Sequence, residues 1–172
     1  MKNRVNSGTE SRQPLSVRTA VPGDESLILS FIRSLAEYEK LSGEVSATQR
    51  DIRNALFGEK PCAEVLLAFW EEEPAGFALF FTNFSTFLGK PGLYLEDLFV
   101  KPEFRGRKIG KALLAELAGI ALRRECGRLE WAVLDWNTSA IRFYQSLGAG
   151  ILADWRIFRM TGEDLKNLAK SG

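Results

Sequence analysis

Three stretches of the sequence are almost continuously apolar, and they constrain the fold more than any other feature. They are residues 63–70 (AEVLLAFW), 76–84 (GFALFFTNF) and 93–100 (LYLEDLFV), each of the length of a β-strand. A strand that is apolar on both of its faces needs cover on both faces. The turn EEEPA between the first two predicts an antiparallel hairpin, and LGKPG leads into the third. We therefore expect a sheet with helices packed on both sides.

Strand and helix signals also occur before these stretches. Residues 15–20 (LSVRTA) alternate in polarity and predict a first strand. Asp24 is placed to cap a first helix, on which apolar residues recur at helical spacing. Thr48 and Asp51 have the spacing of a capping box for a second helix, and Gly58 is expected to end that helix.

After the third stretch the sequence predicts alternating helices and strands. A long amphipathic helix from Ile109 is followed by a strand over residues 128–135 and by a helix that Asn137 caps and Gly148 ends. A last strand over residues 151–160 and a short terminal helix complete an α/β (α+β) order with a mixed sheet. No repeat or linker is visible. Residues 14–172 are therefore expected to form a single domain after a flexible N-terminal tail, residues 1–13.

Composition excludes several classes of function. The 23 basic and 22 acidic residues leave a net charge of +1, which gives no electrostatic footprint for nucleic acid. Cys62 and Cys126 lie far apart without a CxxC spacing, so we expect no metal site and two reduced cysteines in a cytoplasmic protein. No apolar run approaches the roughly 20 residues of a membrane span, and the polar N-terminus lacks the apolar core of a secretion signal. Because histidine is absent, acid–base chemistry must use carboxylates, tyrosine, lysine or cysteine.

Glu96 and Asp97 lie side by side in the middle of the third apolar stretch. Desolvating a carboxylate there costs several kcal/mol unless it is paired or hydrogen-bonded. One interpretation is an ion pair with a nearby arginine or lysine, and the other is that the pair faces a cationic ligand. Since successive side chains of a regular strand point to opposite faces, only one of the two would face such a ligand.

The segment VKPEFRGRKIGKALL, residues 100–114, joins the end of this strand to the start of the long helix. Exposed amides at a helix start, together with the helix dipole, attract anions. Arg105, Arg107, Lys108 and Lys111 add positive charge, and the combination suits a pyrophosphate. The Walker and dinucleotide-binding glycine motifs are both absent, which disfavours a nucleotide-binding module. The alternative is a solvated basic turn that uses Gly106 only for its geometry.

The loop RGRKIG resembles the [R/Q]-x-x-G-x-[G/A] loop of the GNAT superfamily of acyl-CoA-dependent N-acetyltransferases. Arg105 and Gly110 match the motif, and Lys108 stands where its middle glycine usually lies. Within that superfamily the chain is similar to the diamine (spermidine/spermine) and thialysine acetyltransferases. The segments that carry this similarity are LAEYEK, LYLEDLFV, RGRKIG, DWNTSAIRFYQSLGA and WRIF, in that order.

The resemblance implies a GNAT-like, mostly antiparallel central sheet, acetyl-CoA as co-substrate, a small cationic amine as acceptor, and a homodimer that exchanges sheet edges or terminal strands. It implies Glu96 as a water-mediated base and Tyr144 as the acid that protonates the departing thiolate. The implied coenzyme-binding residues are Leu98, Phe99, Val100, Arg105, Gly106, Arg107, Lys108, Ile109, Gly110, Lys111, Asn137, Ala140 and Tyr144. The implied amine-binding residues are Tyr38, Glu39, Glu96, Trp155 and, if a bulge redirects the strand, Asp97.

Several of these residues also have purely structural explanations. Tyr144 and Trp155 have alternatives as core aromatics, Asn137 as a helix cap, Tyr38 as a packing residue and Glu39 as a solvated charge. At the level of function, the alternatives to a small-amine N-acetyltransferase are a protein or peptide acetyltransferase and a non-catalytic acyl-CoA sensor.

Overall fold

The computed structural model describes residues 14–172, so the predicted N-terminal tail lies outside the described residues. Within that range the chain forms five strands and five α-helices. In chain order they are β1 Leu15–Thr19, α1 Glu25–Tyr38, α2 Gln49–Phe57, β2 Glu64–Trp70, β3 Glu73–Ser85, β4 Lys90–Val100, α3 Ile109–Arg123, β5 Leu129–Trp131, α4 Thr138–Ser146 and α5 Gly162–Ala169. The described chain divides into two compact units, one ending at Ala132 and the other spanning Val133–Gly172. The single domain expected over residues 14–172 stays a prediction.

The first unit contains one sheet with the strand order β1-β2-β3-β4-β5. The first four strands pair antiparallel with their neighbours, and β5 pairs parallel with β4. The predicted mixed, mostly antiparallel sheet is therefore confirmed. The single parallel pair follows from chain order, because β4 reaches β5 through a crossover that contains α3.

Side-chain alternation along the strands divides the apolar residues between two faces of the sheet. On one face, Phe77 and Phe99 join a buried cluster with α1 and α2, in which the ring of Phe31 stacks on that of Phe77 with centroids 5.4 Å apart. The residues that alternate with them, such as Ala78 and Phe80, are equally buried, and α3 packs against the same strands. Helices on both faces are thus confirmed, and α1 is anchored to β3 and β4.

The two helix caps predicted near the N-terminus differ in outcome. The capping box of α2 is confirmed, since the Asp51 amide donates to the Thr48 hydroxyl at 3.3 Å and the Thr48 amide to the Asp51 carboxylate at 2.9 Å. Asp24 occupies the N-cap position of α1, but its side chain makes no capping bond. Its carboxylate accepts instead from Arg18 at 2.7 and 2.9 Å, and this bond keeps the pKa of Asp24 below its usual value. Because the charged Arg18 guanidinium is a stronger donor than a backbone amide, the Asp24 carboxylate binds Arg18 and does not cap the helix.

The prediction of a last strand over residues 151–160 was wrong, because this segment contains no strand and its residues are exposed. The strand predicted over residues 128–135 is also shorter, since β5 covers only Leu129–Trp131. A strand exists only where another strand pairs with it, and an apolar pattern does not specify that partner. Among the described residues no helix combines the length and apolarity that crossing a membrane requires. The cytoplasmic location stays a prediction.

Candidate active site

The acidic pair lies at a β-bulge in β4. Asp97 is opposite Leu79 of β3, while Leu95 is opposite Phe80, so Glu96 is an extra residue without a partner on β3. A bulge places two residues of one strand against one of the other and breaks the strict alternation of side chains. The sequence suggested this arrangement only as a condition for Asp97 to take part in a site, and the structure contains it.

Asp97 lies on the face of the sheet that α1 covers. It is two residues from Phe99, which belongs to the α1-side cluster, and opposite Leu79, which packs against that cluster. Asp97 is partly buried and Glu96 is exposed. Burial, together with the negative charges of Glu96 and Glu39, raises the pKa of Asp97 to about 6.

Glu39 follows the last residue of α1 and is itself partly buried, which raises the pKa of its carboxyl group. Glu39, Glu96 and Asp97 therefore place their negative charges around one region of the first unit. None of the ion pairs formed by residues 14–172 includes any of these three carboxylates. The interpretation of the acidic pair as half of an internal ion pair thus has no support, and a cation from outside the chain would relieve the repulsion.

Beside the acidic pair, β4 has backbone amides along the part of its edge that does not pair with β5. β5 pairs with β4 only over Leu93–Leu95. The Lys101 amide donates to the Ala75 carbonyl of β3 at 2.9 Å, so alternation directs the amides of Leu98 and Val100 away from β3. The same alternation directs the Phe99 amide towards β3, and its ring lies in the core against Phe31. Of the three predicted residues, Leu98 and Val100 are thus the ones oriented for a ligand.

The loop after β4 ends in an uncapped helix start. Gly106 has φ of +79°, a conformation that glycine adopts without strain, and Lys108 at the N-cap of α3 has φ of +63°. No side chain caps this helix, and its first backbone bond runs from the Ala112 amide to the Lys108 carbonyl. The amides of Ile109, Gly110 and Lys111 therefore precede the first intrahelical bond. These free amides and the exposed basic side chains of the loop are suited to an anion such as a pyrophosphate.

Both arginines of this loop stack on aromatic rings. The Arg105 guanidinium lies 4.7 Å from the centroid of the Tyr38 ring, and its Nε donates to the Val100 carbonyl at 3.1 Å. The Arg107 guanidinium lies 4.9 Å from the ring of Trp70 and 5.5 Å from that of Phe104. Neither Trp70 nor Phe104 was predicted as a site residue. Trp70 is far from the loop in sequence, so no local pattern could predict its contact with Arg107. Phe104 lies three residues before Arg107, and this spacing was the one sequence signal for its contact.

The second unit carries the remaining predicted residues. The Asn137 side chain accepts from the Ala140 amide at 3.2 Å and from the Ser139 hydroxyl at 3.1 Å, so its predicted role as the cap of α4 is confirmed. Tyr144 is partly buried on α4, with its ring centroid 5.4 Å from that of Phe143. Trp155 is 73% exposed, which excludes the core role considered for it. Roles of these residues towards a substrate stay predictions.

Comparison with known proteins identifies the class to which this fold and loop belong. The model of the acetyltransferase (GNAT) family matches residues 30–149. The thialysine N-epsilon-acetyltransferase of Bos taurus is 42% identical over 164 residues, covering 89% of this chain and 96% of that protein. The L-ornithine N5-acetyltransferase of Arabidopsis thaliana is 30% identical over 209 residues, covering 95% and 92%. An integron cassette protein of V. cholerae has a similar structure, with a TM-score of 0.72, 30% identity and coverage of 91% and 98%.

The chain belongs to the GNAT family of acetyltransferases. It is an N-acetyltransferase, and its fold and the predicted family resemblance are confirmed.

Lys108 provides a test of the loop geometry. A side chain at positive φ crowds the backbone, at a cost of about 1–2 kcal/mol. Glycine avoids this cost, but it loses more conformational entropy on folding. We expect Lys108→Gly to raise the free energy of unfolding by about 0.5–1 kcal/mol, measured by urea denaturation. Lys111→Gly, inside α3, should instead lower it by about 1 kcal/mol. A loss of stability in Lys108→Gly would contradict the left-handed assignment.

Proposed function

We propose that the protein transfers the acetyl group of acetyl-CoA to an amino group of a small cationic amine, either a polyamine or a diamino acid of the thialysine or ornithine type. The observation that carries the proposal is the group of Glu39, Glu96 and Asp97, whose carboxylates have no ion-pair partner among residues 14–172. The names of the relatives from Bos taurus and Arabidopsis thaliana support acceptors that carry more than one amino group.

The acidic group serves the acceptor in two ways. Before reaction, the negative charges attract the ammonium form of the amine. For attack on the thioester the amine must be neutral, which costs about 4 kcal/mol at pH 7.4 for a lysine-like amine of pKa about 10.4. Glu96, exposed at the bulge, accepts that proton through a water molecule, while the partly buried Asp97 and Glu39 hold the amine in place.

The coenzyme side uses backbone donors of the first unit. The Leu98 amide, directed away from β3, is suited to polarise the thioester carbonyl, and Val100 to hold the pantetheine arm. The amides at the start of α3 and the basic loop side chains suit the diphosphate. By family resemblance, Tyr144 is assigned to give its proton to the thiolate as the C–N bond forms and the C–S bond breaks. In water that transfer is uphill by about 2 kcal/mol, a gap that a dry site would reduce. Asn137 and Ala140 are assigned to the pantetheine arm by family resemblance.

A panel of amines tests the function directly. The purified protein is given acetyl-CoA with spermidine, putrescine, thialysine, ornithine, lysine or an aminoglycoside, and free thiol is followed over time. We expect turnover with at least one diamine or diamino acid, and loss of at least 100-fold in kcat in Glu96→Gln. If coenzyme A binds while every amine is inert, the small-amine assignment fails. Acetylation of peptides alone would favour the protein acetyltransferase.

In the same assay, Tyr144→Phe separates an enzyme from a sensor. Removing the phenol should lower kcat by about 100-fold or more with little change in the KM of acetyl-CoA, because the proton is needed only when the thiolate leaves. The matched control is Tyr94→Phe, at a position in β4 to which no site role is assigned. Unchanged turnover in Tyr144→Phe would remove Tyr144 from the mechanism.

The pKa of Asp97 predicts how the amine site responds to pH. Because the ionised form attracts the ammonium group and this pKa is about 6, lowering the pH from 7.5 to 5.5 should raise the KM of the amine about fourfold. Glu39→Gln removes one charge that raises this pKa, so the rise in KM should shift to lower pH. In Asp97→Asn the amine KM should be high throughout. A wild-type KM that stays constant down to pH 5.5 would contradict the role of Asp97.

We also propose a homodimer, as the resemblance implies. Its support is the segment predicted as the last strand, which remains unpaired within residues 14–172 and exposes Ile157 at 76% and Phe158 at 93%. An apolar segment with strand propensity is suited to pair with another chain. Sedimentation equilibrium should give twice the chain mass of 19.3 kDa. A monomer at micromolar concentration would refute it.

A further inference from the structure

The end of α1 places two consecutive residues against two different parts of the candidate site. The ring of Tyr38 stacks on the guanidinium of Arg105, in the loop assigned to the diphosphate, at 4.7 Å. The next residue, Glu39, acts through its charge on Asp97, in the region assigned to the amine. A single helix end thus touches the coenzyme loop through the ring of Tyr38 and influences the amine region through the charge of Glu39.

Arg105 is held at two points within the first unit. Its Nε donates to the Val100 carbonyl at 3.1 Å, and its guanidinium lies over the face of the Tyr38 ring. Arg105 directly precedes Gly106, whose φ of +79° begins the turn into α3. Fixing the guanidinium therefore restrains the backbone at the point where the loop turns towards the helix start.

α1 has little freedom to move as a body. Phe31, near its middle, stacks on Phe77 of β3 at 5.4 Å and lies 6.3 Å from Phe99 of β4. The Tyr38–Arg105 contact lies beyond this packed middle, at the last residue of the helix. The Lys40 backbone after it has φ of +62°, so the chain leaves the helix immediately beyond Glu39.

We propose that Tyr38 is a positioning residue that couples the two substrate sites: its ring transmits the ordering of Arg105 by coenzyme to Glu39 and so to the amine. The proposal rests on the proposed function and deepens it. It assigns Tyr38 to the support of the loop through its aromatic face, whereas the resemblance assigned it to the lining of the amine channel. Coupling is reciprocal, so a bound amine must strengthen coenzyme binding by the same factor. A cation–π contact limits that factor to about two- to fivefold.

The test measures binding by isothermal titration calorimetry, with coenzyme A and thialysine as probes, each titrated with and without the other. In the wild type we expect each probe to raise the affinity for the other about two- to fivefold. Tyr38→Leu should reduce the coupling factor to one, and it should weaken the binding of coenzyme A in the absence of thialysine by about two- to fivefold. Tyr38→Phe, which keeps the ring, should retain both.

Trp70→Leu is the matched control, because Trp70 stacks on the neighbouring Arg107 of the same loop and has no assigned place near the amine. It should weaken coenzyme A binding and leave the coupling factor intact. The proposal is overturned if Tyr38→Leu retains the coupling, if Tyr38→Phe loses it, or if Trp70→Leu abolishes it equally. An inert amine panel would refute the proposed function instead, while the effects of Tyr38→Leu and Tyr38→Phe on coenzyme A affinity would still decide the role of the ring.

Discussion

The bulge at Glu96 in β4 is the feature on which the rest of the site depends. The strand is buried by helices on both faces, and a regular strand there would point two adjacent carboxylates to opposite sides. The extra residue lets Glu96 remain exposed while Asp97 lies on the α1 face, where burial and the neighbouring charges of Glu96 and Glu39 raise its pKa to about 6. The unfavourable burial of this charge is tolerated because the large apolar surface of the same sheet outweighs it, and a bound cation would relieve it.

The antiparallel core also explains why donors and carboxylates lie on one strand. β5 covers only Leu93–Leu95 of β4, so the edge beyond it presents the amides of Leu98 and Val100 next to the bulge. The strand then leads within a few residues into the uncapped start of α3. The proposed amine, acyl and diphosphate sites thus draw mainly on residues 96–111, with the end of α1 as a further contribution from the first unit.

Local patterns predicted the elements whose partners are close in sequence. The box of Thr48 and Asp51 and the cap by Asn137 formed as expected, because each is complete within one turn of helix. Asp24 did not use its side chain as a cap, since Arg18 offered a charged partner. The prediction of a last strand was wrong for a related reason. A local apolar pattern does not specify which other strand will pair with the segment.

The sequence by itself determined the sheet with covered faces, the acidic pair and the basic loop, because apolar periodicity, charge and glycine act over a few residues. Only the tertiary structure decided on which face Asp97 lies, that the loop arginines stack on Tyr38 and Trp70, and that the three carboxylates have no ion-pair partner among residues 14–172. These depend on contacts between residues distant along the chain. Register, bulges and ring stacking are settled by packing, and packing is a property of the folded molecule as a whole.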